Sequence, residues 1–368
     1  MVPLAIKSRG ISPQRSGSDC EETTVSHEIS RRQTLAMLAV GGASAVAAGC
    51  SPMRSGTADQ FILRFSHVTA TSTPKGQAAA WFKQELERRT ESRIRVEVYP
   101  NSELYGDKDE MQALQSNSVQ MLAPASAKFT TVAPALQSLD LPFLVDELAD
   151  VPTVVAKESE VGKAIYRNKD LESKGMKVVG LWDSGMKQIH SNSETRKPSD
   201  MRGKKYRIQP SDILRSQFEN WGGTPTPMAF AEVYGGLQQG VIDGGENNYP
   251  NIHSQKMHTV QKHITELNHG YIGYVQVINK EWFDRLPHEL KLVVEATCAD
   301  AEEYNRTVSQ EANDEAKHSI EETGTANILV PTKAERDEFK KLVVPAVYEQ
   351  YRSVLGSRVV DELLNNQR

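Results

Sequence analysis

The chain has 368 residues, a formal net charge of −5 and 25% charged residues, enough length for about two domains. No basic footprint argues for nucleic acid as a partner. Of the three cysteines, Cys20 and Cys50 precede the globular part, so Cys298 has no internal partner and the fold needs no disulfide.

Residues 1–29 are polar, lack periodicity and read as an extended lead-in. Ser30-Arg31-Arg32-Gln33-Thr34-Leu35 then precedes a short run of apolar and small residues that ends in Ala47-Ala48-Gly49-Cys50. A charged region, a short apolar run and small residues make a signal peptide, too short and too weakly apolar for a membrane span. The paired arginines resemble a twin-arginine export signal. The AAGC tetrapeptide resembles a lipobox, which makes Cys50 the lipidated residue. Residues 1–49 are therefore read as signal peptide and 50–59 as a flexible lipidated linker.

Phe61 to Phe65 alternates as a first strand and leads through Ser66-His67-Val68 to a polar loop. Ala78, Phe82 and Leu86, four apart, give the next segment one apolar helical face. Ile94, Val96 and Val98 alternate with polar residues as a second strand. Residues 107–115 read as a short amphipathic helix, and 119–123 as a buried strand. This βαβαβ order predicts a doubly wound α/β domain. A helix is expected to run to about Ser173, and a strand over 177–181 leads into Trp182-Asp183-Ser184-Gly185-Met186-Lys187, the first crossing between domains. Residues 274–279 are read as the second crossing.

Residues 204–251 organise the rest. They read as a strand carrying Arg207, a helix, a break at Gly222-Gly223, a second helix, and a strand ending at Asn247. Strand–helix–strand units set strand ends side by side, where open α/β sheets bind ligands. Arg207 is a permanent cation whose planar fork matches a carboxylate, and Asn247 both donates and accepts. After Pro287, apolar residues recur at three- and four-residue steps up to Gly324, a helix on the order of 50 Å long. Thr332 and Glu335 form a capping box before a last helix, 336–351.

Tyr206-Arg207-Ile208 followed by PTPMAFAEVYGGLQQGVIDGGEN (225–247) and the earlier LPF (141–143) resemble the solute-binding subunits of TRAP (tripartite ATP-independent periplasmic) transporters. The likeness is strongest to their C4-dicarboxylate branch and runs from about Phe61 to near the C-terminus. It implies a periplasmic-binding-protein-like α/β fold with two lobes, joined by crossover strands and a long helix spanning both. Lobe I is placed at 60–183 and 274–312, and lobe II at 184–273 and 313–368. The resemblance gives Arg207 a bidentate salt bridge to a ligand carboxylate. Lys187, in a Gly-Met-Lys-Gln context, becomes a second cation for a second carboxylate. Asn247 holds a hydroxyl or carboxylate, and Phe230 lines the pocket floor. His67, Lys75 and Ser126 face the cleft from strand-end loops, and Trp182 caps the ligand. Asp107 is expected to repel a dicarboxylate unless paired. Asn248 stands where relatives carry Pro, an exchange expected to loosen that loop.

The function implied is capture of a C4-dicarboxylate such as malate, succinate or fumarate by lobe closure. The implied partners are small and large membrane permease subunits, with the protein a lipid-anchored monomer at the periplasmic face. A sugar acid or other monocarboxylate is the alternative ligand. An exported enzyme acting on an organic acid is the alternative of another class, and a sensory module a third. No cofactor is implied. His253, His258 and His263, spaced by five, do not share a helical face and read as no metal site.

Overall fold

A computed structural model describes residues 60–366. The signal peptide, the 50–59 linker and Cys50 lie outside the described residues.

In chain order the strands are β1 (Phe61–Ser66), β2 (Ile94–Tyr99), β3 (Met121–Leu122), β4 (Met176–Met186), β5 (Gln188–Ser191), β6 (Lys205–Ile208), β7 (Thr224–Pro227), β8 (Gly244–Asn247), β9 (His263–Thr265), β10 (Tyr271–Asn279) and β11 (Asn327–Leu329). One sheet runs β2-β1-β3-β10-β4 and the other β11-β9-β5-β8-β6-β7. Both are mixed rather than all-parallel: β10 is antiparallel to β3 and β4, and β5 is antiparallel to β8 and β9. The chain passes from one sheet to the other at Lys187, and returns through residues 266–270 just ahead of β10.

The first sheet forms where the alternation predicts it. Leu63, Phe65, Ile94 and Val96 are fully buried, each worth about 1.5–3 kcal/mol out of water. Helix α1 (Pro74–Arg89) lays Ala78, Phe82 and Leu86 on them. Thr73 caps α1 by accepting from the Gly76 N–H, and Pro74 suits the first turn because no N–H is needed there. A short helix, α2 (Glu110–Gln115), precedes β3.

The long helix covers His288–Thr323, 36 residues, and stops at Gly324 with φ +61°. Leu290, Val294, Cys298 and Ala301 pack into the core of the first sheet. Ala316 and Ile320, further along, pack with Phe230, Ile252 and Ile264 beside the second. One rigid element therefore carries a face for each lobe.

Two helical predictions are corrected. The stretch before β4 is broken into Val151–Val154, Glu160–Tyr166 and Lys169–Ser173, because Ser159 and Asn168 each cap a new start. The last helix divides into Lys333–Val343 and Ala346–Gln350 at Pro345, which has no N–H to continue the ladder. The C-terminal helices, which continue as Arg352–Leu355 and Ser357–Asn366, also pack more widely than lobe II: Phe339, Val347, Leu355 and Val360 share a core with Leu136 and Ile165 as well as with Phe218 and Trp221.

Candidate functional site

Strand order creates the site. From β1 the chain moves to β2 on one side and then to β3 on the other. From β6 it moves to β7 on one side and then to β8 on the other. Each reversal opens a crevice beyond the carboxyl ends of the central strands, the usual ligand position in open α/β sheets. A small cavity sits there. Val68 and Thr69 reach it from the end of β1, Pro124 and Ala125 from the end of β3, Gln209 from the end of β6, and Asn247 from β8. Lys75, Asp107, Glu110, Lys128, Phe230, Asn251 and Tyr274 complete the lining.

The local sequence explains why backbone approaches so closely. A Cβ on Gly244 would lie 2.4 Å from the His190 carbonyl oxygen of β5, and one on Gly245 would lie 2.9 Å from the His190 ring. The paired glycines let β8 lie between β5 and β6, in register with Arg207 opposite Gly245.

Arg207 is 2% exposed, and its Nε and Nη2 both donate to the Met228 carbonyl, at 3.0 and 2.9 Å. Among the described residues no carboxylate forms an ion pair with it. Its charge feels Asp107, Glu246 and Tyr274. Burial pulls its basicity down, and these neighbours pull it back up. Arg207 is not among the residues that line the cavity.

Of the other expected site residues, Asn247, Phe230 and Lys75 line the cavity. Lys75 donates to the Ala123 carbonyl at 3.1 Å and sits 3.7 Å over the Tyr274 ring. Burial lowers its pKa to about 8. Four others are engaged elsewhere. The Lys187 ammonium lies 2.8 Å from Glu246 Oε1, and His269 Nε2 lies 2.9 Å from Glu246 Oε2, all with side chains at or below 1% exposure. Ser126 Oγ donates to Asp140 at 2.5 Å. Trp182 is fully buried against Phe65, at 5.8 Å between ring centroids. His67 contacts Thr69 at 3.4 Å, and burial followed by the Lys75 charge holds its pKa near 3, so it is neutral. In this conformation a second ligand-facing cation at Lys187, a capping Trp182, and cleft-facing His67 and Ser126 are therefore not seen, because buried partners hold or enclose each side chain.

The second cation facing the cavity is Lys128, together with Lys75. Lys128 Nζ lies 2.8 Å from Asp107 Oδ2, and both side chains are nearly buried. The condition set for Asp107, that it be paired, is met. Its Oδ2 also accepts from the Phe230 N–H at 2.6 Å. Burial opposes its charge, but Lys128 and these bonds hold its pKa below the usual value. Glu110, beside it, is pushed up to about 7 by burial and then by Asp107. Asn248 does not loosen its loop. It caps the helix Tyr249–Ser254 through the Asn251 N–H, and its amide donates to the Ser184 hydroxyl at 2.7 Å. His253 and His258 stack with ring centroids 5.4 Å apart, and His258 bonds Thr325.

The model for bacterial extracellular solute-binding proteins, family 7, matches residues 65–353. The chain belongs to that family. It is 38% identical over 304 residues to the C4-dicarboxylate-binding periplasmic protein DctP of Rhodobacter capsulatus, covering 82% of this chain and 90% of the relative. A TRAP periplasmic solute-binding protein from Shewanella oneidensis with bound succinate superposes with TM-score 0.80 at 34% identity, over 84% of this chain and all of that one. One from Pseudomonas aeruginosa with bound L-malate gives 0.76 at 31% identity, over 79% of this chain and all of that one. The two-lobe α/β architecture is thus the family's, and so is the resemblance read from the 206–247 segment.

Sequence reasoning missed Lys128, Glu110, Asn251 and Tyr274 in the lining. The signal available was position: Lys128 follows the end of β3 in Pro124-Ala125-Ser126-Ala127-Lys128, on the same strand-end loop as the predicted Ser126.

Proposed function

We propose that this protein captures a C4-dicarboxylate such as succinate or malate between its lobes and delivers it to a TRAP membrane permease pair. The observation that carries the reading is Arg207: a buried guanidinium without a carboxylate partner among the described residues, beside a small cavity into which Lys75 and Lys128 also bring positive charge. A buried cation of this kind is costly until an anion joins it. A diacid offers two carboxylates to three cations, of which Asp107 neutralises one.

Closure supports the same reading. Asp107 accepts from the Phe230 N–H, Lys108 pairs with Glu232 at 2.8 Å, and Thr130 Oγ1 donates to the Pro210 carbonyl at 3.0 Å, so the cleft is shut across its mouth. A ligand touching both lobes stabilises that closed state. Micromolar affinity, about 8 kcal/mol, is enough for capture. Binding is the whole of its chemistry, and the acid leaves unchanged. The tether is the lipid on Cys50, read from the AAGC sequence.

A thermal-shift panel tests this. Succinate, malate and fumarate at a hundredfold excess over Kd should raise Tm by about 5 °C. A larger rise with glucuronate or galactonate than with any diacid would transfer the assignment to sugar acids.

A further inference from the structure

We propose that Glu110 is a ligand-positioning residue that enters the closed complex as the neutral acid and donates to a carboxylate of the bound diacid, so that capture of a dianion is coupled to net proton uptake from solvent. The proposal rests on the diacid reading above.

Glu110 opens α2, is 1% exposed, and lines the cavity. Its Oε1 is buried without a hydrogen-bond partner among the described residues, and no cation there forms an ion pair with the carboxyl group. Asp107, three residues earlier, lines the same cavity but is differently placed. Lys128 and the Phe230 N–H both hold it as the anion. A dicarboxylate entering a small cavity that already holds these two carboxyl groups brings four carboxyl groups together. Like charges at such range cannot all ionise, and the one without a fixed cation yields. A protonated Glu110 turns the clash into a hydrogen bond, because its O–H donates where the carboxylate could only accept.

The charged and titratable groups that share the cavity with Glu110 are Lys75 from α1, Asp107 from the preceding loop, Lys128 after β3 and Tyr274 from β10. Burial raises the Glu110 pKa most, Asp107 raises it next, and Lys75 and Lys128 oppose them, leaving it near 7. An incoming dianion raises it further. The same dianion raises Lys75, whose pKa lies near 8, so Lys75 is the rival source of any proton taken up.

Calorimetry with succinate in two buffers of different ionisation enthalpy separates the two. At pH 7.0–7.5 wild-type protein should take up about 0.5–0.7 proton per acid bound, and Glu110→Gln should cut this to about 0.2 or less. The Gln amide still donates but cannot titrate, so E110Q should lose the pH dependence of affinity near pH 7, whereas E110A should bind at least tenfold more weakly. The wild-type measurement needs no variant to fold. Succinate binding without proton uptake, or uptake that survives in E110Q, overturns the proposal and leaves the diacid reading standing. Absence of any diacid binding overturns both.

Discussion

Lys187 and Glu246 bury opposite charges with 2.8 Å between Nζ and Oε1, and His269 closes the other carboxylate oxygen. Removing one member of such a group leaves a buried charge unpaired and typically costs 3–5 kcal/mol. Burial raises the Glu246 pKa, but Lys187 and then His269 outweigh it and hold it near 2. A carboxylate depressed in the folded state stabilises above its unfolded value and loses that contribution as pH falls through the folded one. Stability should therefore decline between about pH 4.5 and 2, and Glu246→Gln should flatten that part of a Tm-against-pH curve. An unchanged slope would show that Glu246 does not titrate with folding. At this scale the sequence was informative where a residue type is rare in its setting. Arg207, Asn247 and Phe230 stand in the 206–247 segment, and Lys75, expected on a strand-end loop, sits instead in the first turn of α1; the structure sets all four in or beside the cavity. The ion pair of Lys187 was not legible, because its partner Glu246 lies 59 residues away and no local pattern reports a buried ion pair. Lys128 and Glu110 went unread for a related reason: a lysine or glutamate in a polar stretch reads as a solvated face, and only the fold shows it buried.

Elements with long periodic patterns were legible. The six-residue strands β1 and β2, α1, and the 36-residue helix form where alternation or three- and four-residue spacing placed them. Strands of three or four residues, such as β5, β9 and β11, carry too few positions for a period, and tertiary pairing alone makes them strands. The break-up of residues 148–173 followed from capping side chains that compete with helix continuation. In β8 the glycines are set by space. Gly244→Ala would drive a methyl group to 2.4 Å from the fixed His190 carbonyl. It should lower Tm by several degrees and weaken acid binding together, because β8 also carries Asn247. A wild-type Tm for this variant would mean that β5 and β8 have room to part.

The described residues form two mixed sheets whose switch points face one cavity, with a helix carrying a buried face for each. The α/β class and the spanning helix were legible because strand and helix signals alternate and the helix exceeds what one lobe needs. The sharing of the C-terminal helices between 134–166 and 212–221 was not, since amphipathic spacing gives a face and not its partner. Arg207 is buried beside the cavity and Lys75 lines it, while Asp107 accepts from the Phe230 N–H and Lys108 pairs with Glu232 between the two sheets' segments. The measurement that bears most directly on this is the calorimetric Kd for succinate of wild type against Arg207→Ala and Arg207→Lys. Loss of the guanidinium should weaken binding at least tenfold in both variants, since a lysine cannot hold the Met228 carbonyl and a carboxylate with one fork. Wild-type affinity in Arg207→Ala would contradict the account.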